Sequence, residues 1–100
     1  MEDFGVIVRV AGPIEVYDAS HAEITKRLDG AVADGLVLHV ARALDDGFEV
    51  IEVWESKEQY ETFNREVVGP AMAAIGAPTD APPPETVEFE PHNLMAVQLR

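Results

Sequence analysis

Three features of the sequence predict an α+β domain built on an antiparallel sheet. Phe4, Val6, Val8 and Val10 alternate with Gly5, Ile7 and Arg9, the period of a strand. Asp45-Asp46-Gly47 separates two further strand-like runs, Leu36 to Ala43 and Phe48 to Glu55, and so reads as a hairpin. Ser56 then precedes Gln59 by three residues, a capping-box pattern that starts a helix directly after the third strand.

The elements follow in order. Ala11-Gly12-Pro13 stops the first strand. Tyr17, Ile24 and Leu28 recur at helical spacing, so a helix is expected from about Glu15 to Asp29. Its start carries no capping side chain, and Gly30 can end it. The third strand has apolar residues on both parities (Phe48, Val50 and Trp54 against Ile51 and Val53), so both of its faces should be covered. Tyr60, Phe63 and Val67 give the second helix its inner stripe. Gly69-Pro70 is expected to break that helix into Lys57–Val68 and a short piece, Pro70–Ile75, because proline clashes with the preceding turn and lacks a donor. Pro78 and Pro82-Pro83-Pro84 stiffen a connector from Ala77 to Glu85. A fourth strand follows over Thr86–Glu90 with Val87 and Phe89 inward, and the apolar stretch Leu94–Leu99 can add a fifth.

Strand, helix, strand, strand, helix, strand is the split pattern of ferredoxin-like βαββαβ folds, with both helices on one face of the sheet. The 100 residues make one domain, 1–100. The other sheet face needs a cover, and a second copy of the chain is the natural one. Val37, Ala41, Ile51 and Val53 are expected on strand faces that the helices cannot reach.

The formal net charge of −12 repels nucleic-acid phosphates and anionic lipid, so neither is expected as a partner. No cysteine is present, which excludes disulfides, thiolate metal sites and a cysteine nucleophile. The acidic start Met-Glu-Asp-Phe-Gly lacks a signal-peptide pattern, and no apolar run approaches the ~20 residues of a membrane helix, so a cytoplasmic protein is expected. Phosphate-binding glycine loops and the Gly-x-Ser-x-Gly and His-Glu-x-x-His motifs are absent, and three scattered histidines predict no metal site.

The Asp45-Asp46-Gly47 hairpin, the junction Val53-Trp54-Glu55-Ser56 and the helix Glu58-Gln59-Tyr60-Glu61-Thr62-Phe63 resemble the dimeric α+β barrel superfamily. Within it they are most similar to antibiotic-biosynthesis-monooxygenase-like proteins. The whole chain, with His92-Asn93-Leu94 near its end, resembles a set of small uncharacterised bacterial proteins. The resemblance implies a homodimer and a pocket between sheet and helices. Its members include monooxygenases without cofactors, isomerases, lyases and haem-degrading enzymes, so the fold leaves the chemistry open. The haem-degrading branch uses a histidine on the second helix and an asparagine on the first strand, and neither has a counterpart here. No cofactor is implied.

Glu52 and His39 are the candidate catalytic residues. Glu52 shares a strand face with Phe48, Val50 and Trp54; under the helices its carboxyl would be desolvated and could act as a general acid or base. The face of His39 depends on the hairpin. A two-residue loop places it beside Glu52, and a three-residue loop, which the glycine after Asp45-Asp46 favours, turns it to the opposite face. Trp54, Tyr17, His21, Tyr60 and His92 are candidates for lining a substrate pocket, and each also has an ordinary structural reading as core, helix-surface or turn residue. Two functions stay open. One is a cofactor-independent monooxygenase or isomerase acting on a planar hydrophobic molecule. The other is a non-catalytic ligand-binding or assembly module in which the same side chains fill space.

Overall fold

The computed structural model describes residues 3–77 and 82–95. Strand β1 (Phe4–Ala11) leads through Gly12-Pro13 into helix α1 (Ile14–Arg27). Strands β2 (Leu36–Leu44) and β3 (Gly47–Trp54) form the hairpin, and helix α2 (Lys57–Phe63) continues through a wide π turn (Asn64–Val68) into α3 (Gly69–Ala74). Strand β4 (Glu85–Phe89) completes a four-stranded sheet ordered β2-β3-β1-β4, with each neighbouring pair antiparallel. This is the expected ferredoxin-like fold, with β1 and β3 central.

Local chemistry explains the boundaries. Pro13 occupies the N-cap of α1 in extended conformation, with no side-chain cap, so rigid φ replaces a capping hydroxyl. Lys26 and Arg27 face the negative end of the helix dipole. Asp29 and Gly30 (φ 54° and 79°) then turn the chain left-handed, and the Gly30 N–H reaches back to the Thr25 carbonyl. At α2 the expected cap forms: Ser56 Oγ accepts the Gln59 N–H at 3.2 Å and donates to Gln59 Oε1 at 2.9 Å.

Gly69-Pro70 does not break the second helix. Val68 and Gly69 keep right-handed helical dihedrals, and the N–H of Gly69 bonds to Asn64 O, five residues back. The wider turn accommodates the missing proline donor, and the helical run continues through it without interruption.

The hairpin also departs from expectation. Leu44 pairs with Gly47, so the loop is the two residues Asp45-Asp46. Val37 is the extra residue of a bulge between Leu36 and Leu38, which resets the alternation of β2. The two-residue loop pairs Ala41 with Val50 on the helix-covered face and places Leu38 and Val40 with Ile51 and Val53 on the open face. In β4, Val87 and Phe89 pair with Ile7 and Gly5 on that open face too, contrary to the inward placement expected.

The helix side holds the core. Trp54 and Val6 are fully buried, and Trp54 packs against Phe63 and Tyr60 with centroids 5.3 and 5.9 Å away. The open side carries exposed apolar side chains, Leu38 (39%), Val40 (45%) and Val87 (58%) among them. Phe89 lies flat over Gly5, where any Cβ would collide with its ring. Residues 96–100 lie outside the described residues, and with them most of the expected fifth strand. No helix among the described residues is long and apolar enough to cross a membrane.

Candidate functional site

The alternation of β3 points Phe48, Val50, Glu52 and Trp54 under the helices, because Val6, opposite Glu52 on β1, is fully buried there. The two-residue hairpin loop sets His39 directly across from Glu52 on the same face. Helix α1 crosses above them and supplies Tyr17 and, one turn later, His21.

These groups join in one hydrogen-bonded chain. Trp54 Nε1 donates to Glu52 Oε1 at 3.1 Å. The other oxygen, Oε2, lies 2.6 Å from His39 Nδ1, and His39 Nε2 lies 2.7 Å from the Tyr17 hydroxyl. The donors follow from the partners. A carboxylate only accepts, which puts the proton on His39 Nδ1 and leaves Nε2 to accept from Tyr17 O–H. The phenol is a firm donor, since burial first and then the negative charges of Glu52 and Asp18 raise its pKa above the ordinary 10.0.

The chain runs from a fully buried indole to the protein surface. The Glu52 side chain keeps 12% of its exposure and that of His39 keeps 29%. At the outer end the rings of Tyr17, His21 and His39 gather with centroids 5.6–6.2 Å apart and planes inclined by 18–28°. Phe48 meets Tyr17 edge-on at 5.8 Å and fixes the phenol from below. Phe48 was not singled out as a site residue from the sequence, although its shared parity with Glu52 was the signal. An imidazole with a carboxylate behind it and a phenol in front can move a proton in either direction.

The remaining candidates fall elsewhere. Tyr60 packs between Trp54 and Phe4, and its phenol pKa is raised chiefly by burial, so it borders the inner end of the chain. His92 is exposed beyond the end of β4, at the sheet edge opposite β2, and is not brought to the other candidates. Among the described residues no group of three or more His, Asp or Glu side chains could hold a metal ion.

Among the described residues, clefts also lie apart from the hydrogen-bonded chain. One of about 450 Å³ sits beside β1 and β4 and is lined by Phe4, Lys57, Glu88 and Phe89. The other, about 400 Å³, lies between α2 and the segment before β2, with Leu28, Ala33, Phe63 and Val67 in its wall. The second reaches the inner end of the chain only through Phe63, which packs on Trp54.

No family model matches the sequence, and no curated protein does. Solved structures do share the fold. A candidate antibiotic biosynthesis monooxygenase from Chloroflexus aurantiacus superposes with a TM-score of 0.67 at 20% identity, covering 96% of this chain and 99% of that one. SnoaB, a cofactor-independent oxygenase from Streptomyces nogalater, gives 0.60 at 17% identity, covering 99% and 97%. A dimeric ferredoxin-like protein of unknown function from Thermobifida fusca gives 0.60 at 14% identity, covering 89% and 91%. The chain therefore has the ferredoxin-like fold of the antibiotic-biosynthesis-monooxygenase-like proteins, and at these identities the likeness is one of fold.

Proposed function

We propose that the protein is a cofactor-independent enzyme that removes a proton from a planar hydrophobic molecule, with His39 as general base. The observation that carries this reading is the unbroken chain Trp54–Glu52–His39–Tyr17. Glu52 holds the imidazole in the tautomer whose Nε2 lone pair faces outward and stabilises the imidazolium that forms. Tyr17 passes a proton inward: its own hydrogen goes to Nε2 while its oxygen takes the hydrogen of the substrate. The substrate anion is then reprotonated at another atom, an isomerisation, or yields electrons to dioxygen, an oxygenation. The likeness to SnoaB supports the second outcome. The test is exchange of an acidic substrate hydrogen for solvent deuterium, followed by NMR across a panel of enolisable planar compounds, with dioxygen uptake measured in parallel. His39→Ala should abolish exchange in a folded protein; exchange that survives this change would sink the reading.

A second reading is a ligand-binding or assembly module without catalysis. It is favoured by the complete burial of Trp54 and by clefts whose walls do not include His39. Ligand binding without deuterium exchange or dioxygen uptake would select it.

We also propose a homodimer that packs the open sheet faces together. The exposed Leu38, Val40 and Val87 support it, as does the dimeric description of the Thermobifida fusca protein. Such an interface should bury more than ~1,000 Å² in total, and a monomer by light scattering at micromolar concentration would count against it.

A further inference from the structure

Glu52, His39 and Tyr17 stand in the order of a nucleophile triad, supplied by three different elements, β3, β2 and α1. The carboxylate is the inner member, with its side chain 12% exposed. Trp54 Nε1 holds one of its oxygens at 3.1 Å, and the other lies 2.6 Å from His39 Nδ1. His39 Nε2 lies 2.7 Å from the Tyr17 hydroxyl, the reach over which an imidazole takes a proton from an attacking oxygen. Such a constellation is recognised by geometry and roles, on whatever fold it occurs. Here a phenol stands where the commoner form has a serine hydroxyl. The outer end is open to solvent, with 29% of the His39 side chain exposed. His21, one turn further along α1, is exposed too, its ring 5.6 Å from that of Tyr17 and inclined to it by 18°. It takes no part in the hydrogen-bonded chain, so an uncommitted imidazole N–H lies beside the phenol.

We propose that Glu52, His39 and Tyr17 also hydrolyse neutral aryl esters through an acyl group carried on the Tyr17 oxygen, with His21 as the donor to the oxyanion. The same imidazole serves as base, but nothing is asked of a C–H acid, so this activity is separate from the one proposed above. In the first step the Tyr17 oxygen bonds to the ester carbonyl carbon while its hydrogen passes to His39 Nε2. The carbonyl π pair moves onto the oxygen that His21 N–H holds. Collapse breaks the bond to the aryl oxygen, and the departing aryl oxide takes the hydrogen from Nε2. In the second step water attacks the acyl carbon and gives a hydrogen to Nε2. That hydrogen goes to the Tyr17 oxygen as its bond to the acyl carbon breaks. A carboxylic acid and a phenol have left, and the three side chains are back in their starting state. Glu52 stabilises the imidazolium in both steps.

The substrate class follows from leaving-group basicity. Acyl transfer to a phenol goes forward when the departing oxide is the weaker base. Burial first, and then the charges of Glu52 and Asp18, hold the Tyr17 pKa above 10.0, so aryl oxides qualify and alkoxides do not. The acyl–Tyr17 bond is itself that of an aryl ester, which water can cleave. Glu52 and Asp18 near the phenol, on a chain of net charge −12, disfavour acyl groups that carry negative charge.

The test treats the full chain with 4-nitrophenyl acetate. Nitrophenolate release gives the rate, and acid quenching followed by mass spectrometry of the intact chain and its peptides locates the acetyl group. The parent chain should hydrolyse the ester, carry the acetyl group transiently on Tyr17 and leave ethyl acetate untouched. Tyr17→Phe should lose the acetyl group, and His39→Ala should lower the rate by about 10²–10⁴-fold. Mapping the acetyl group in the parent needs no substitution, so a variant that disturbs folding does not cost the test its answer. An acetyl group found on His21 or His39 in place of Tyr17 would overturn the proposal. So would a Tyr17→Phe chain that turns over like the parent, or a parent no faster than buffer. Each of these results leaves the deuterium-exchange test of His39 standing.

Discussion

Truncating Trp54 to alanine should be among the costliest single changes in this chain. The indole is fully buried, and its ring contacts Tyr60 and Phe63, which ties the end of β3 to α2. Emptying such a site costs about 3–5 kcal/mol, and the high end applies because the change also strips Glu52 Oε1 of its donor. In a domain of this size that is a loss of roughly 15–30 °C in melting temperature. Trp54→Phe retains most of the packing and loses only the Nε1 donor, so it should cost about 1–3 kcal/mol. Urea denaturation followed by far-UV circular dichroism is the assay, since Trp54 is the only tryptophan and its fluorescence vanishes with it. A double-mutant cycle of Trp54→Phe with Glu52→Ala removes the indole–carboxylate bond from either side and should return a coupling of about 1–2 kcal/mol. An alanine variant that loses less than about 1 kcal/mol, or a coupling indistinguishable from zero, would refute the view of Trp54 as both core anchor and inner end of the chain.

Three further outcomes are expected. Glu52→Gln should leave the fold intact and lower proton-transfer activity by about 10²–10⁴-fold, because an amide cannot accept from both Trp54 and His39 and its N–H₂ forces the imidazole into the other tautomer; the check is turnover beside thermal stability. Stability should fall as pH rises above 10: Tyr17 and Tyr60 hold their protons more tightly when folded, so the unfolded chain ionises first, and Tyr17→Phe should make that alkaline limb shallower in pH-dependent denaturation. Gly5→Ala should cost about 1–3 kcal/mol by urea denaturation, because its Cβ displaces the Phe89 ring from the sheet.

The fold was legible because each signal was local. Alternation in Phe4–Val10, the Ser56–Gln59 cap and the Asp45-Asp46-Gly47 turn each act within a few residues, and the element order then admits few topologies. What the sequence hid was parity. Asp45-Asp46-Gly47 suits a loop of two or three residues, and this single choice decides whether His39 meets Glu52 or turns away. The same choice takes Ala41 to the helix side and leaves Leu38 and Val40 on the open face, while the bulge at Val37, which has no marker of its own, sets Leu36 opposite Trp54. Gly69-Pro70 looks like a stop signal because proline excludes an ordinary α turn, and a π turn lies outside that rule. The pairing of Tyr17 with His39 joins residues 22 apart on different elements, so it leaves no trace in any local pattern.

The general-base role of His39 depends on where its proton sits. Two-dimensional ¹H–¹⁵N spectroscopy of the imidazole in the folded protein at pH 8 measures this directly. A single tautomer with hydrogen on Nδ1 is expected, with a strongly downfield Nδ1–H signal from the bond to Glu52 that is lost in Glu52→Gln. A ring protonated at Nε2, or one exchanging freely between tautomers, would contradict the Tyr17–His39–Glu52 chain and the general-base role built on it.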